Sequence, residues 1–158
     1  MTEEQWQTSK EPAKMLHALG ERATRQQLIL TLCACGRRVE RFLTDARSRR
    51  AFDIAERAAV ENASPEELST AHEAASEAIA EVPGEADDEA PYLAAIFAAD
   101  TLHFINEPNW NIATVISLLE LGTNAAADLH GAWTEANLQA SQAEAAAQAD
   151  IIRSIFRE

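Results

Sequence analysis

The sequence predicts an all-α fold, and two observations lead to that prediction. Apolar residues recur at helical spacing along most of the chain, and no segment alternates apolar and polar residues for long enough to indicate a strand. Capping boxes, the paired polar residues that open helices, recur as well. They are Thr2 with Gln5, Thr24 with Gln27 and Ser64 with Glu67. We therefore expect a compact helical bundle, with residues 1–158 forming a single α-helical domain.

The first two predicted helices are short, and the third carries the clearest pattern. Apolar residues of the third helix are spaced 4, 3, 4 and 3 apart, which forms one continuous stripe. They are Leu28, Leu32, Cys35, Val39 and Phe42. The residues beside the stripe are apolar too, so we expect the third helix to be the central buried element. The seven predicted helices cover residues 3–8, 11–19, 25–43, 46–62, 65–82, 91–105 and 110–156.

The next three helices are marked by their first residues. Asp45 can cap the fourth helix, Pro65 follows Ser64 at the start of the fifth, and Pro91 begins the sixth. The fifth helix has apolar residues on its inner face and glutamates on its outer face. No cation on that outer face can neutralise the glutamates.

The last predicted helix, over residues 110–156, is by far the longest. Its residues Leu129, Trp133, Ala136, Ala140, Ala143 and Ala147 step by three and four. Such a small-residue seam lets two helix axes approach closely. We expect the seam to pair with another copy, giving a homodimer through 129–156. The alternative is that the chain bends near Gly122 or Gly131 and folds back on its own bundle.

Charge is divided unevenly along the chain. Seventeen acidic residues and no lysine or arginine lie between Ala58 and Ile152, whereas nine of the thirteen basic residues lie between Arg22 and Arg57. Such polarity favours a partner selected by charge. The sequence therefore predicts a protein partner that meets an arginine-rich face. The candidate residues of that face are Arg37, Arg38, Arg41, Arg47 and Arg50. The alternative is that these arginines pair with acidic residues of the same fold.

A net charge of −13 disfavours nucleic acid as the partner. The opening residues are acidic and lack an apolar stretch, so they do not fit a secretory signal. The longest apolar run is also too short to span a membrane. From these features we expect a cytoplasmic protein.

Metal chemistry has one candidate pair. Asp100 and His103 lie three residues apart, a spacing that carboxylate di-iron bundles use. A second such pair is missing from the sequence, so we expect no bound cofactor or metal. Cys33 and Cys35 point in different directions around one helix and are expected to be buried thiols rather than nucleophiles. Neither a phosphate-binding loop nor a nucleophile elbow is present, so we expect no enzyme.

Several stretches at both ends of the chain share residues with one bacterial family. They are Met1-Thr2-Glu3-Glu4-x-Trp6, Leu32-Cys33-Ala34-Cys35-x-Arg37-Arg38, Leu43-Thr44-Asp45-x-Arg47-Ser48-Arg49 and Gln148-Ala149-Asp150-Ile151-Ile152-Arg153. They resemble a large uncharacterised family of planctomycete proteins. Gly36 and Ala149 stand where that family commonly has cysteines. The resemblance implies a helical cytosolic module and brings no activity with it.

These observations favour a non-catalytic interaction or scaffolding module, acidic and with an arginine-rich face. The alternative function is a metal- or redox-active helical protein that uses His103, Asp100, Cys33 and Cys35.

Overall fold

The computed structural model describes residues 1–83, 89–127 and 134–157, and this part of the chain forms an all-α bundle of eight helices. In chain order the helices are α1 (Glu3–Thr8), α2 (Pro12–Leu19), α3 (Arg25–Val39), α4 (Ala46–Ala59), α5 (Pro65–Ala80), α6 (Ala90–Asn106), α7 (Ile112–Ala127) and α8 (Glu135–Ile155). Among the described residues, no helix has both the length and the apolar character that membrane crossing requires.

Polar side chains start the helices where the sequence predicts them. The three expected capping boxes are formed at α1, α3 and α5, and the Asp45 side chain accepts a hydrogen bond from the backbone N–H of Arg47 at the start of α4. A fourth box pairs Thr134 with Asn137 and begins α8. Each box satisfies backbone N–H groups that lack an intrahelical partner.

The predicted centre of the bundle is confirmed. Leu32, Cys35 and Val39 of α3 are fully buried, and α3 packs against α4, α6, α7 and α8. The helix ends at Val39, earlier than expected, and a single 3-10 turn (Glu40–Phe42) follows it. α6 is a second central helix, because it packs against α3, α4, α5 and α7.

The expected single helix over 110–156 is instead two helices that pack against each other. α7 ends at Ala127, and the capping box at Thr134 starts α8 in a new direction. Gly122 does not bend the chain, since it lies within α7. A Cβ atom there would come within 3.0 Å of the Gln148 side-chain nitrogen, so the glycine permits close packing of α8.

The alanine seam does not form the buried face of α8. Ala136 and Ala143 are exposed, Ala140 and Ala147 are half-buried, and residues 129 and 133 lie outside the described residues. The buried side chains of α8 are Asn137, Glu144, Gln148, Ala149 and Ile152. α8 packs against α7, α3 and α2 within its own bundle, so its buried face is covered without a second copy. A homodimer through 129–156 stays a prediction.

Gly36 allows α3 and α4 to approach closely. A Cβ atom at this position would lie 2.1 Å from a ring carbon of Phe52, which is fully buried. The Phe52 ring then packs edge-to-face on Phe97 of α6, with ring centres 5.9 Å apart. Any residue larger than glycine at position 36 would therefore collide with this ring.

Replacing Gly36 with alanine tests that packing. Within a helix, Gly→Ala ordinarily raises the free energy of unfolding by about 0.5–1 kcal/mol. Here we expect overpacking to lower it by about 1–3 kcal/mol. Chemical denaturation of Gly36→Ala and Gly122→Ala measures the difference. Gly122 is the comparison, because an added Cβ there would lie 3.0 Å from the Gln148 side-chain nitrogen and 3.3 Å from a Phe97 ring carbon, a milder overlap than at Gly36 that should cost less stability. A Gly36→Ala variant as stable as Gly122→Ala would show that the close approach is wrong.

Candidate functional site

Arg37, the first of the predicted partner-binding residues, joins α3 to α4. Its guanidinium lies 2.6 Å from the Asp53 carboxylate and 3.0 Å from that of Glu56, and it also contacts Glu40 at 3.2 Å. Hydrogen bonding to Glu56 makes the largest contribution to raising the pKa of Arg37. The partly exposed guanidinium is therefore held by three carboxylates of its own chain.

Arg38 joins α3 to α8. Its Nε and one terminal nitrogen donate to the two carboxylate oxygens of Glu144, at 2.9 and 3.1 Å. The Glu144 side chain is only 3% exposed, whereas that of Arg38 is 40% exposed. The pair is bidentate, which is the strongest geometry that an arginine offers a carboxylate.

Arg47 joins α4 to α5. It bonds Asp45 at 2.8 Å, lies 3.8 Å from Glu77 and contacts Glu81 more closely. Hydrogen bonds from the side chain and the backbone N–H of Arg47 lower the pKa of Asp45 to about 2. Arg57 supports the same interface, with its guanidinium 3.0 Å from Glu67.

The remaining two candidates, Arg41 and Arg50, are exposed. Arg41 donates to the backbone carbonyl of Arg38, and its guanidinium carbon lies 4.4 Å from the centre of the Phe42 ring. Hydrogen bonds from Ser64 and Arg57 chiefly lower the pKa of Glu67, and the charge of Arg50 adds to that effect. Of the five arginines named from the sequence, three connect helices through ion pairs and two lie at the surface.

Four glutamates form a line along the outside of α5 and its C-terminal end, which we call the acidic stripe. They are Glu66, Glu73, Glu77 and Glu81, all exposed and spaced seven, four and four residues apart. The stripe runs about 22 Å at 1.5 Å per residue. Arg47 contacts the two glutamates of its C-terminal half, Glu77 and Glu81. In the part of the chain that the structure describes, no ion pair involves Glu66 or Glu73.

Asp100 and His103 lie on one face of α6, as predicted, and α5 brings His72 beside them. The imidazole rings of His72 and His103 have centres 5.5 Å apart. Burial raises the pKa of Asp100, and both histidines oppose that rise. The sequence did not indicate His72 as a neighbour of this pair, because helical spacing relates only residues of the same helix. The only sequence signal for it is its position at the inner edge of α5.

A cleft of about 670 Å³ separates α1 and α2 from the end of α8. Its arginines serve the fold: Arg153 donates to the backbone carbonyls of Trp6 and Ser9, and Arg22 donates to those of Ala18 and Leu19. The Arg153 guanidinium thus joins α8 to the N-terminal segment, whereas Arg22 stabilises the C-terminal end of its own helix, α2.

The two thiols are unpaired and buried within α3. Burial raises the pKa of Cys33 to about 12 and raises that of Cys35 as well, and nearby Glu56 and Glu144 add to these effects. A thiol needs its thiolate form to act as a nucleophile or metal ligand. The surroundings of Cys33 and Cys35 therefore oppose the redox part of the alternative function.

Two wider comparisons complete the description of the site. Within residues 1–83, 89–127 and 134–157, no three His, Cys, Asp or Glu side chains are arranged to hold a metal ion. No protein family, curated protein or solved structure matches the chain. The resemblance to the planctomycete family thus stays a prediction from the sequence.

The thiol environment gives a prediction on reactivity. At pH 8 the Cys33 thiolate fraction should be about a thousandfold lower in the folded chain than in the unfolded chain, because the pKa is about 12 rather than 9.0. A disulfide reagent should therefore label the native protein no faster than the protein unfolds. Rapid labelling without denaturant would contradict the buried-thiol description.

The same shift makes stability depend on pH. Above pH 9 the unfolded chain loses thiol protons that the folded chain keeps, so the free energy of unfolding should fall as pH rises from about 9 towards 12. Denaturant titrations across this range measure the slope. The variant Cys33→Ala/Cys35→Ala serves as the control and should lose less stability, and equal slopes would contradict the prediction.

Proposed function

We propose that the chain is a non-catalytic interaction module that binds a cationic segment of a partner protein through the acidic stripe. The observation that carries the proposal is the incomplete neutralisation of that stripe. Arg47 pairs with its C-terminal end, whereas Glu66 and Glu73 lie exposed at its N-terminal end. A cationic segment along α5 would continue the charge pairing that Arg47 begins.

The distribution of cations supports this assignment. The chain has no lysine or arginine between residues 58 and 152. The nearby arginines Arg37, Arg38, Arg47 and Arg57 make ion pairs with carboxylates of the same chain. These arginines are already paired with carboxylates at helix interfaces. The surface of α5 therefore presents mainly negative potential to an approaching partner.

Other partners fit the geometry less well. The net charge of −13 opposes binding to a nucleic acid backbone. Exposed Ala136 and Ala143 would permit the homodimer through 129–156, but two acidic copies repel each other. Two unpaired thiols agree with the cytoplasmic location expected from the sequence. The proposal therefore places a basic protein segment, rather than a second copy, on α5.

A defined cationic probe tests the proposal. We expect the variant Glu66→Gln/Glu73→Gln to bind a fluorescent decalysine peptide about fivefold more weakly than the parent, because two exposed ion pairs contribute about 0.5 kcal/mol each. Fluorescence anisotropy at rising salt concentration gives the affinity. Binding of the parent should weaken as salt screens the charges.

The matched control is Glu3→Gln/Glu4→Gln, which removes the same charge from exposed positions on α1. We expect it to bind like the parent. If both double variants lose affinity equally, attraction to total charge explains the binding, and the acidic stripe is not the site. A peptide that fails to bind the parent at low salt would also contradict the proposal.

A further inference from the structure

The two histidines between α5 and α6 lie at a separation that suits a shared metal ion. Their ring centres are 5.5 Å apart, and the ring planes are tilted by 33°. A zinc-sized ion about 2 Å from one nitrogen of each of two imidazoles holds the ring centres about 5 Å apart. The observed separation of the ring centres is therefore close to the one that a shared ion requires.

Each histidine also has a polar neighbour on its own helix. Nε2 of His103 lies 3.5 Å from a Glu107 oxygen, and Nε2 of His72 lies 3.5 Å from the Ser76 hydroxyl. Metal-ligating histidines are commonly oriented in this way, by a carboxylate or other acceptor at the second ring nitrogen. Nδ1 of each ring is then the atom that would bind the ion.

Asp100 supplies negative charge beside the two rings. It precedes His103 by one helical turn, and its carboxyl group is close enough for both imidazoles to counter the rise that burial causes in its pKa. A divalent cation held by the rings would stabilise the charged carboxylate. Asp100 would act from outside the ligand pair, since it forms no three-ligand group with the two histidines among the described residues.

We propose that His72 and His103 together bind one divalent late transition-metal ion, such as Cu²⁺, Ni²⁺ or Zn²⁺. Imidazole nitrogens suit these ions, whereas Mg²⁺ and Ca²⁺ prefer oxygen ligands. With two protein nitrogens, water completes the coordination, which fits the lack of a three-ligand cluster among the described residues. The packed helices α5 and α6 hold the two ligands in place.

Titration calorimetry of chelator-treated, tag-free protein with NiCl₂, and separately with ZnCl₂, tests the site. We expect one ion per chain and no binding of MgCl₂. His72→Ala and His103→Ala should each weaken binding by at least about tenfold, and Asp100→Asn should weaken it by up to about tenfold as a loss outside the ligand pair. His17→Ala is the control, because His17 is exposed on α2, and it should bind like the parent.

Three results would overturn the inference. They are no binding to the parent protein, equal weakening by His17→Ala, and loss of binding in only one of the two ligand variants. His72→Gln and His103→Gln repeat the test with more conservative changes, and thermal unfolding of each variant checks that it folds. This titration uses no cationic peptide, so its result is independent of the proposed function of the acidic stripe.

Discussion

The buried carboxylate of Glu144 must be paired, and the position of α8 follows from that requirement. An ionised side chain that is 3% exposed loses most of its hydration, at a free-energy cost of several kcal/mol unless a partner compensates it. Arg38 supplies the partner from α3. Gln148 donates to the carbonyl of Leu119 at 3.0 Å, and Asn137 donates to that of Ala127. α8 is thus positioned by polar contacts with defined geometry, which fix its register more strictly than apolar packing would.

Ion pairing within the chain also determines the charge of the surface that the proposed function uses. Arginines from residues 37–57 pair with carboxylates on α4, α5 and α8, so the α3–α4, α3–α8 and α4–α5 interfaces each include an ion pair. Acidic residues outnumber these cations, and the excess lies at the surface. The exposed N-terminal half of the acidic stripe is one result of that imbalance. The basic partner that we propose would be attracted by this surface charge and would need no pocket.

Local signals in the sequence predicted the central helix correctly and the starts of α1 to α7 to within two residues, but they missed the start of α8. Capping boxes and the stripe of α3 depend on residues within one turn or one helix, so periodicity detects them. The buried face of α8 was predicted wrongly. The alanines from Ala136 to Ala147 have the spacing of a packed helix face, whereas polar side chains are not expected in a core. Glu144 is buried through Arg38, which is 106 residues away. His72 was missed for the same reason, since its neighbour His103 lies on another helix.

A double-mutant cycle on Arg38 and Glu144 tests this account most directly. We expect Arg38→Met to lower the free energy of unfolding by about 3 kcal/mol or more, since it leaves a buried charge unpaired. Glu144→Leu should lower the free energy of unfolding by less, because an unpaired Arg38 can reach solvent. The loss in the double variant should be smaller than the sum of the two single losses by at least about 1 kcal/mol. A cycle on the ion pair of Lys14 and Glu11, whose side chains are 66% and 60% exposed, should give a coupling below about 1 kcal/mol. Additive effects at Arg38 and Glu144 would contradict the claim that this ion pair positions α8.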